Sequence, residues 1–300
     1  MQQKEIISAV ARMQTYIEGH IAQPITLLEL ARCAGYSPWH AERLFKETLG
    51  KSPFQYIRAL RLTKAALTLR DQDKKVLDVA LDFVFDSHEG FTRAFSREFG
   101  ITPHRYQKRP IPLWLFLPYS ARDRYLFYTK GERTMETKET STIFVQVIER
   151  PARKLILKRG KKAEEYFAYC EEVGCDIWGL LTSVKEALYE PVGLWLPKKL
   201  RPAGTSEYVQ GVEVPADYAG AVPEGFAVID LEPCKMMIFQ GPPYADEYFE
   251  SAILSVQAAI ERYDPALYGY QWAEDDAPRF QLAPEGYRGY IEGRPVREKK

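Results

Sequence analysis

Two arginines fifty residues apart, Arg43 and Arg93, stand in the same place in two copies of one pattern. Trp39, His40 and Glu42 accompany the first; His88, Glu89 and Thr92 accompany the second. A guanidinium offers paired N–H donors that fit a planar acceptor pair such as O6 and N7 of guanine, and a carboxylate accepts from an amino group such as cytosine N4. Other chemistries have fewer candidates. All four histidines (His20, His40, His88, His104) fall in the first 104 residues, which removes histidine-based nucleophilic catalysis and most zinc chemistry from the rest of the chain. Cys33, Cys170, Cys175 and Cys234 are too few and too irregular for a disulfide framework. Cys170 and Cys175 have no histidine beside them, so neither a metal nor a cofactor is expected.

The elements that would position these side chains are legible from the repeat itself. Arg43, Phe45, Gly50, Pro53 and Tyr56 recur as Arg93, Phe95, Gly100, Pro103 and Tyr106; upstream, Leu28, Ala31 and Tyr36 recur at a shift of 49 as Leu77, Ala80 and Phe85. In the first copy, Leu27, Leu28, Leu30, Ala31 and Ala34 are spaced for a helix that Gly35 ends. Ser37 then caps a second helix with Pro38 at its first position. That helix buries Ala41, Leu44 and Phe45 and turns Trp39, His40, Glu42, Arg43 and Lys46 outward. The second copy repeats the plan, with Asp86 or Ser87 as cap, Phe91, Ala94 and Phe95 inward, and His88, Glu89, Thr92 and Arg93 outward. Val84 stands where the first copy has Gly35, so its turn must close without glycine. A buried helix, a tight turn and a second helix with a polar outer face describe a helix-turn-helix. A structural repeat array is the alternative, but solenoids need at least three repeats.

At 300 residues the chain is long enough for two domains. Its 41 basic and 41 acidic residues cancel, but residues 1–110 hold 17 Lys/Arg against 12 Asp/Glu and the remainder 24 against 29, a basic module joined to an acidic one. The N-terminus lacks an apolar signal region, and the longest apolar run, near Ile111–Pro118, falls short of the roughly 20 residues a bilayer span requires. A soluble cytoplasmic protein without a membrane partner is expected.

The segments GYSPWHAERLFK, Pro53–Leu69, VALDFVFDSHEGFTRAFSREFG and TPHRYQ resemble the tandem DNA-binding domain of the AraC/XylS transcriptional regulators. The resemblance covers residues 5–108. It implies a long helix, about Pro53–Leu69, joining two units whose second helices enter successive major grooves of double-stranded DNA. Carried over, the DNA-binding positions are Trp39, His40, Glu42, Arg43, His88, Glu89, Thr92 and Arg93. RNA polymerase is the further partner implied.

Residues 110–140 read as a proline-punctuated, then polar connector. From 141 to 300 the order is strands, helix, strands, then strands, helix, strands, an α+β duplication. The expected organisation is therefore an all-α tandem helix-turn-helix domain at 1–109, the connector, and an α+β domain at 141–300. ERPARKLIL, YVQGVEVP, CKMMIFQGPPY and the terminal strand ahead of Pro295 resemble the GyrI-like domain, a pair of βαββ units with a small-molecule cleft between them. The resemblance implies an amphipathic or cationic effector among aromatic residues and an acid. The candidates are Trp178, Trp195, Tyr208, Phe239, Tyr244, Tyr270 and Trp272, with Glu213 and Glu292 as acids. Many relatives carry the acid at the position of Ile291; Glu292 is its neighbour, on the opposite face of a regular strand. The expected function is a ligand-responsive transcriptional regulator that is not an enzyme. A hydrolase of reactive small molecules or a protein-interaction module are the alternatives for the C-terminal half.

Overall fold

The computed structural model describes residues 2–118, 142–245 and 248–299. The chain divides into two compact units, Met1–Glu132 and Arg133–Lys300.

The first unit contains seven helices among its described residues: α1 (Gln2–Gly19), α2 (Leu27–Ala34), α3 (Pro38–Leu49), α4 (Pro53–Asp71), α5 (Val76–Asp82), α6 (His88–Phe99) and α7 (Pro103–Lys108). Their starts are set locally. Thr26 with Glu29 and Ser52 with Gln55 form capping boxes, while Ser37, Ser87 and Thr102 each accept an N–H from the first turn they precede. Of the two caps expected for the second copy, Ser87 is the one used. Proline follows Ser37, Ser52 and Thr102, where its missing N–H costs nothing.

Helix α4 organises both halves of this unit. Its first turns, through Tyr56, Ile57 and Leu60, join the core of α1–α3; its last turns, through Leu62, Ala65, Ala66 and Leu69, join the core of α5–α7. At about 1.5 Å per residue the helix is roughly 28 Å long. The prolines after Arg109 do not leave this body: Leu113 and Leu115 are buried in the second core, and the Phe116 N–H donates to Thr63 Oγ1 at 2.8 Å. Leu28 and its repeat partner Leu77 are exposed, so this matched position of α2 and α5 faces away from the cores.

The turn between α5 and α6 closes as its counterpart does. Gly35 has φ +76°, and Val84 takes φ +61°, the only described non-glycine residue with positive φ. A β-branched residue there carries strain of about 1–2 kcal/mol. Val84→Gly should therefore raise the stability of the helical unit by about 1 kcal/mol, less the entropy glycine loses on folding. Chemical denaturation will read this as a higher midpoint. A lower one would mean that packing of the valine outweighs its strain.

The second unit is one antiparallel sheet with helices on one face. Its strands are β1 (Phe144–Arg150), β2 (Arg153–Arg159), β3 (Val192–Trp195), β4 (Tyr208–Pro215), β5 (Ala227–Leu231), β6 (Cys234–Gln240), β7 (Tyr270–Trp272), β8 (Arg279–Gln281) and β9 (Ile291–Glu298). Between them lie α8 (Tyr166–Val173), α9 (Ile177–Thr182) and α10 (Phe249–Arg262). Gly174, with φ +97°, separates α8 from α9.

The sheet order is β1-β6-β9-β8-β3-β4-β2-β5, with β7 added to β9. Exchanging β1, β2, β4 and β3 for β5, β6, β9 and β8 reproduces the same order, so the duplication is an internal two-fold with β3 and β8 paired at its centre. Only Pro151 and Ala152 join β1 to β2, although five strands separate them in the sheet order; Glu232 and Pro233 join β5 to β6 in the same way. The sheet must curl until its two ends meet at these turns. The unit is thus a sheet-rich α+β domain.

Candidate functional site

In the helical unit the outward face of α3 is assembled by its own periodicity. Ala41, Leu44 and Phe45 are buried, so positions 39, 42, 43 and 46 cannot be. Trp39 is 70 % exposed, an unusual place for an indole unless it has a partner to meet. The Arg43 guanidinium lies over that ring at 5.1 Å from its centroid, 3.3 Å from His40 Nδ1 and 4.0 Å from Glu47 Oε1. His40 packs edge-on against Tyr36 at 4.8 Å. Trp39, His40 and Arg43 therefore form one contiguous, pre-positioned group, with Glu42 half-buried beside them.

On α6, His88, Glu89 and Arg93 are exposed, and Arg93 makes no hydrogen bond or ion pair among the described residues. Thr92 is half-buried with its hydroxyl turned inward and unpaired, so what it presents outward is apolar. Not all basic residues of this unit serve its surface. Arg12 donates to Cys33 O and Ala34 O, closing orphan carbonyls at the end of α2, and Arg61 donates to Ile21 O and Gln23 O in the turn that follows α1. Spacing alone gave no signal for this division of labour.

In the second unit the expected ligand residues separate by face. Register places Tyr208 opposite Trp195, Trp195 opposite Arg279, Gln281 opposite Glu292, and Phe239 opposite Glu292, so these side chains share the face that carries the helices. Trp195, Tyr208 and Glu292 are brought to its centre. Trp178 packs with α8 and α9 on the Tyr208 side, while Phe239, Tyr270 and Trp272 belong to the core under α10. Tyr244 lies ahead of α10 with its ring edge-on to Phe249.

Glu213 is not part of this group. It stands opposite Leu155, on the other face of the sheet, and is ion-paired there to Arg150 and to Arg153, whose Nε is 2.9 Å away. Strand alternation sends Glu213 away from Tyr208 and Gln210, so the expectation that it lines the same cleft as Glu292 fails on geometry.

A chain of polar side chains crosses the central strands. Gln281 Nε2 donates to Tyr208 Oη at 3.1 Å; Tyr290 Oη lies 3.0 Å from both Gln281 Oε1 and Glu292 Oε2, with one proton to give to either; Arg294 Nε donates to Glu292 Oε1 at 2.8 Å and its NH1 to Glu274 at 3.1 Å. Gly193 permits the first link, because a Cβ there would sit 2.1 Å from the Tyr208 hydroxyl. Burial pushes the Tyr208 and Tyr290 hydroxyls well above the usual phenol range, and the Glu292 charge adds to the second. These phenols stay protonated; Tyr208 accepts from Gln281, and Tyr290 is the donor toward Glu292. Arg279, Gln281, Tyr290 and Arg294 were not expected from the sequence; Tyr290 and Arg294 flank Glu292 two residues away along the chain, and the β8–β9 register adds Arg279 and Gln281.

Among the described residues, no group of three or more His, Cys, Asp or Glu side chains could hold a metal ion, and no helix is long and apolar enough to cross a membrane. None of the four cysteines is in a disulfide among the described residues.

Two helix-turn-helix motifs on one shared helix, each presenting an arginine-bearing second helix, define a tandem helix-turn-helix protein. The family model described as "Helix-turn-helix domain" matches residues 30–109. Right origin-binding protein of Escherichia coli (strain K12) is 46% identical over 95 residues, 32% of this chain and 33% of that protein. Regulatory protein SoxS of Salmonella typhimurium is 37% identical over 94 residues, 31% of this chain and 88% of that protein. A crystal structure of a transcriptional regulator (AraC-type DNA-binding domain-containing proteins) from Chromobacterium violaceum aligns at 29% identity with a TM-score of 0.32, over 37% of this chain and 97% of that one. The chain belongs to the AraC family. It matches about a third of the length of the first of these relatives.

Proposed function

We propose that the protein is a transcriptional regulator that binds double-stranded DNA through α3 and α6. The observation that carries this reading is the pairing of two alike outward faces, one at either end of α4. A helix of roughly 28 Å is of the scale of one DNA turn, about 34 Å, so one chain would reach two successive major grooves. In this reading Trp39, Glu42 and Arg43 meet bases at one half-site with His40 near the backbone. His88, Glu89, Thr92 and Arg93 serve the other. Regulation through RNA polymerase and a cytoplasmic setting follow from the same reading.

The test is a titration of the full chain against duplex DNA selected from a random pool. Binding should weaken by a log–log slope of about 0.9 per phosphate held, roughly a thousandfold between about 50 and 200 mM salt for six contacts. Salt-independent binding, or no enrichment of any sequence, would sink the proposal.

The second unit is read as a GyrI-like effector domain for a small amphipathic ligand. Support comes from the internal two-fold, the aromatic residues on the helix-bearing face and the buried polar chain at its centre. Trp195, Tyr208 and Glu292 are its central residues, with Trp178, Phe239, Tyr244, Tyr270 and Trp272 supporting the walls. No side chain in this chain of contacts is an unspent nucleophile, which favours binding over turnover.

A further inference from the structure

The charges on the helix-bearing face of the second unit are unevenly committed. Glu292, 1 % exposed, already has a cation and a donor: Arg294 and Tyr290 take its two oxygens. Arg294 divides the rest of its fork with Glu274. Arg279 is different. It projects beside Arg294 on the adjoining strand, half-buried, with its guanidinium carbon 4.0 Å from the centroid of the Trp195 ring. It makes no hydrogen bond or ion pair among the described residues. A guanidinium packed over an indole keeps its in-plane N–H groups uncommitted, and those donors match a planar carboxylate. Burial, then the neighbouring Arg294 charge, lowers its pKa from the ordinary arginine value, and the carboxylates of Glu292 and Glu274 offset this only in part.

We propose that this face binds a small organic anion, its carboxylate held by the Arg279 fork and its apolar body lying beside the Trp195 indole. The proposal rests on the reading of the second unit as a ligand-binding domain and names the charge of that ligand. The acid that would attract a cation is held at short range by Arg294, whereas Glu292 and Glu274 act on Arg279 only through space and no carboxylate touches it among the described residues. Tyr208, Gln281 and Tyr290 are already bonded to one another, so they set the floor of the site and do not compete for the anion.

Three probes of one shape and different charge test this: 2-naphthoate, 2-naphthylmethanol and 2-naphthylmethylammonium, titrated calorimetrically into the full chain. Naphthoate should bind at least about tenfold more tightly than the alcohol, which corresponds to about 1.4 kcal/mol, and the ammonium most weakly. Arg279→Gln should erase the preference for the carboxylate. Arg279→Lys, which keeps the charge and loses the fork, should retain part of it, and also serves if the glutamine variant fails to fold. If the ammonium binds best, or both arginine variants keep the wild-type preference, the anion assignment falls while ligand binding stands. If none of the three binds at millimolar concentration, both readings fall.

Discussion

Glu213→Gln will destabilise the second unit by about 3–5 kcal/mol. Arg150 and Arg153 are 9 % and 4 % exposed, and Glu213, itself 5 % exposed, lies between them. Arg150 ends β1, Arg153 begins β2 and Glu213 lies beside them on β4, so the carboxylate neutralises two cations at one of the two turns where the ends of the sheet meet. Arg150 keeps its contacts with the faces of Tyr189 and Phe280, at 4.9 and 5.6 Å, but ring faces compensate a buried guanidinium only in part. Glutamine preserves the shape and removes the charge, which leaves two buried cations facing each other. Urea unfolding followed by tryptophan fluorescence is the measurement, since Trp178, Trp195 and Trp272 all report from this unit. Glu207→Gln is the control. Its pair with Arg201 is much more exposed, and its loss should change stability by no more than about 1 kcal/mol. Equal effects of the two substitutions would show that the buried triad does not hold the closure.

Arg43→Ala and Arg93→Ala should each weaken binding to the selected DNA by about 1–3 kcal/mol, roughly tenfold to a hundredfold, and each should relax discrimination at a different base position. Arg43 should lie at the upper end. Trp39 and His40 already hold its guanidinium, so less side-chain freedom is lost when it binds. Arg93 has no such support and must be ordered by the DNA itself. Trp39→Ala should therefore reduce the Arg43 contribution without touching the position read by Arg93. The measurement is a set of titrations over single-base variants of the selected site. If both arginine variants rank every DNA variant as the wild type does, these arginines grip phosphate and do not read bases.

Much of the helical unit was legible because its determinants are local. Ser37-Pro38 and Ser52-Pro53 start helices through groups within three residues, and the spacing of Ala41, Leu44 and Phe45 fixes by itself which side of α3 stays outside. The need for Val84 to close a turn without glycine was likewise visible, although only the structure gave the answer, a positive φ on a valine. In the second unit the order of strands and helices and the duplication were readable for the same reason. The addresses of the acids were not. Alternation says that Ile291 and Glu292 point to opposite faces, and equally that Glu213 opposes Gln210; it does not say which face carries the helices. That choice comes from the pairing of β8 with β9 and of β2 with β4, where a slip of one residue would reverse every side chain. The repeat, the caps and the outward arginines were readable from the chain alone, because helix contacts recur within one turn. That Glu213 meets Arg150 and Arg153, and that Arg279 lies over Trp195 with no direct ion pair among the described residues, came only from strand pairing, because those partners stand on strands far apart in the chain.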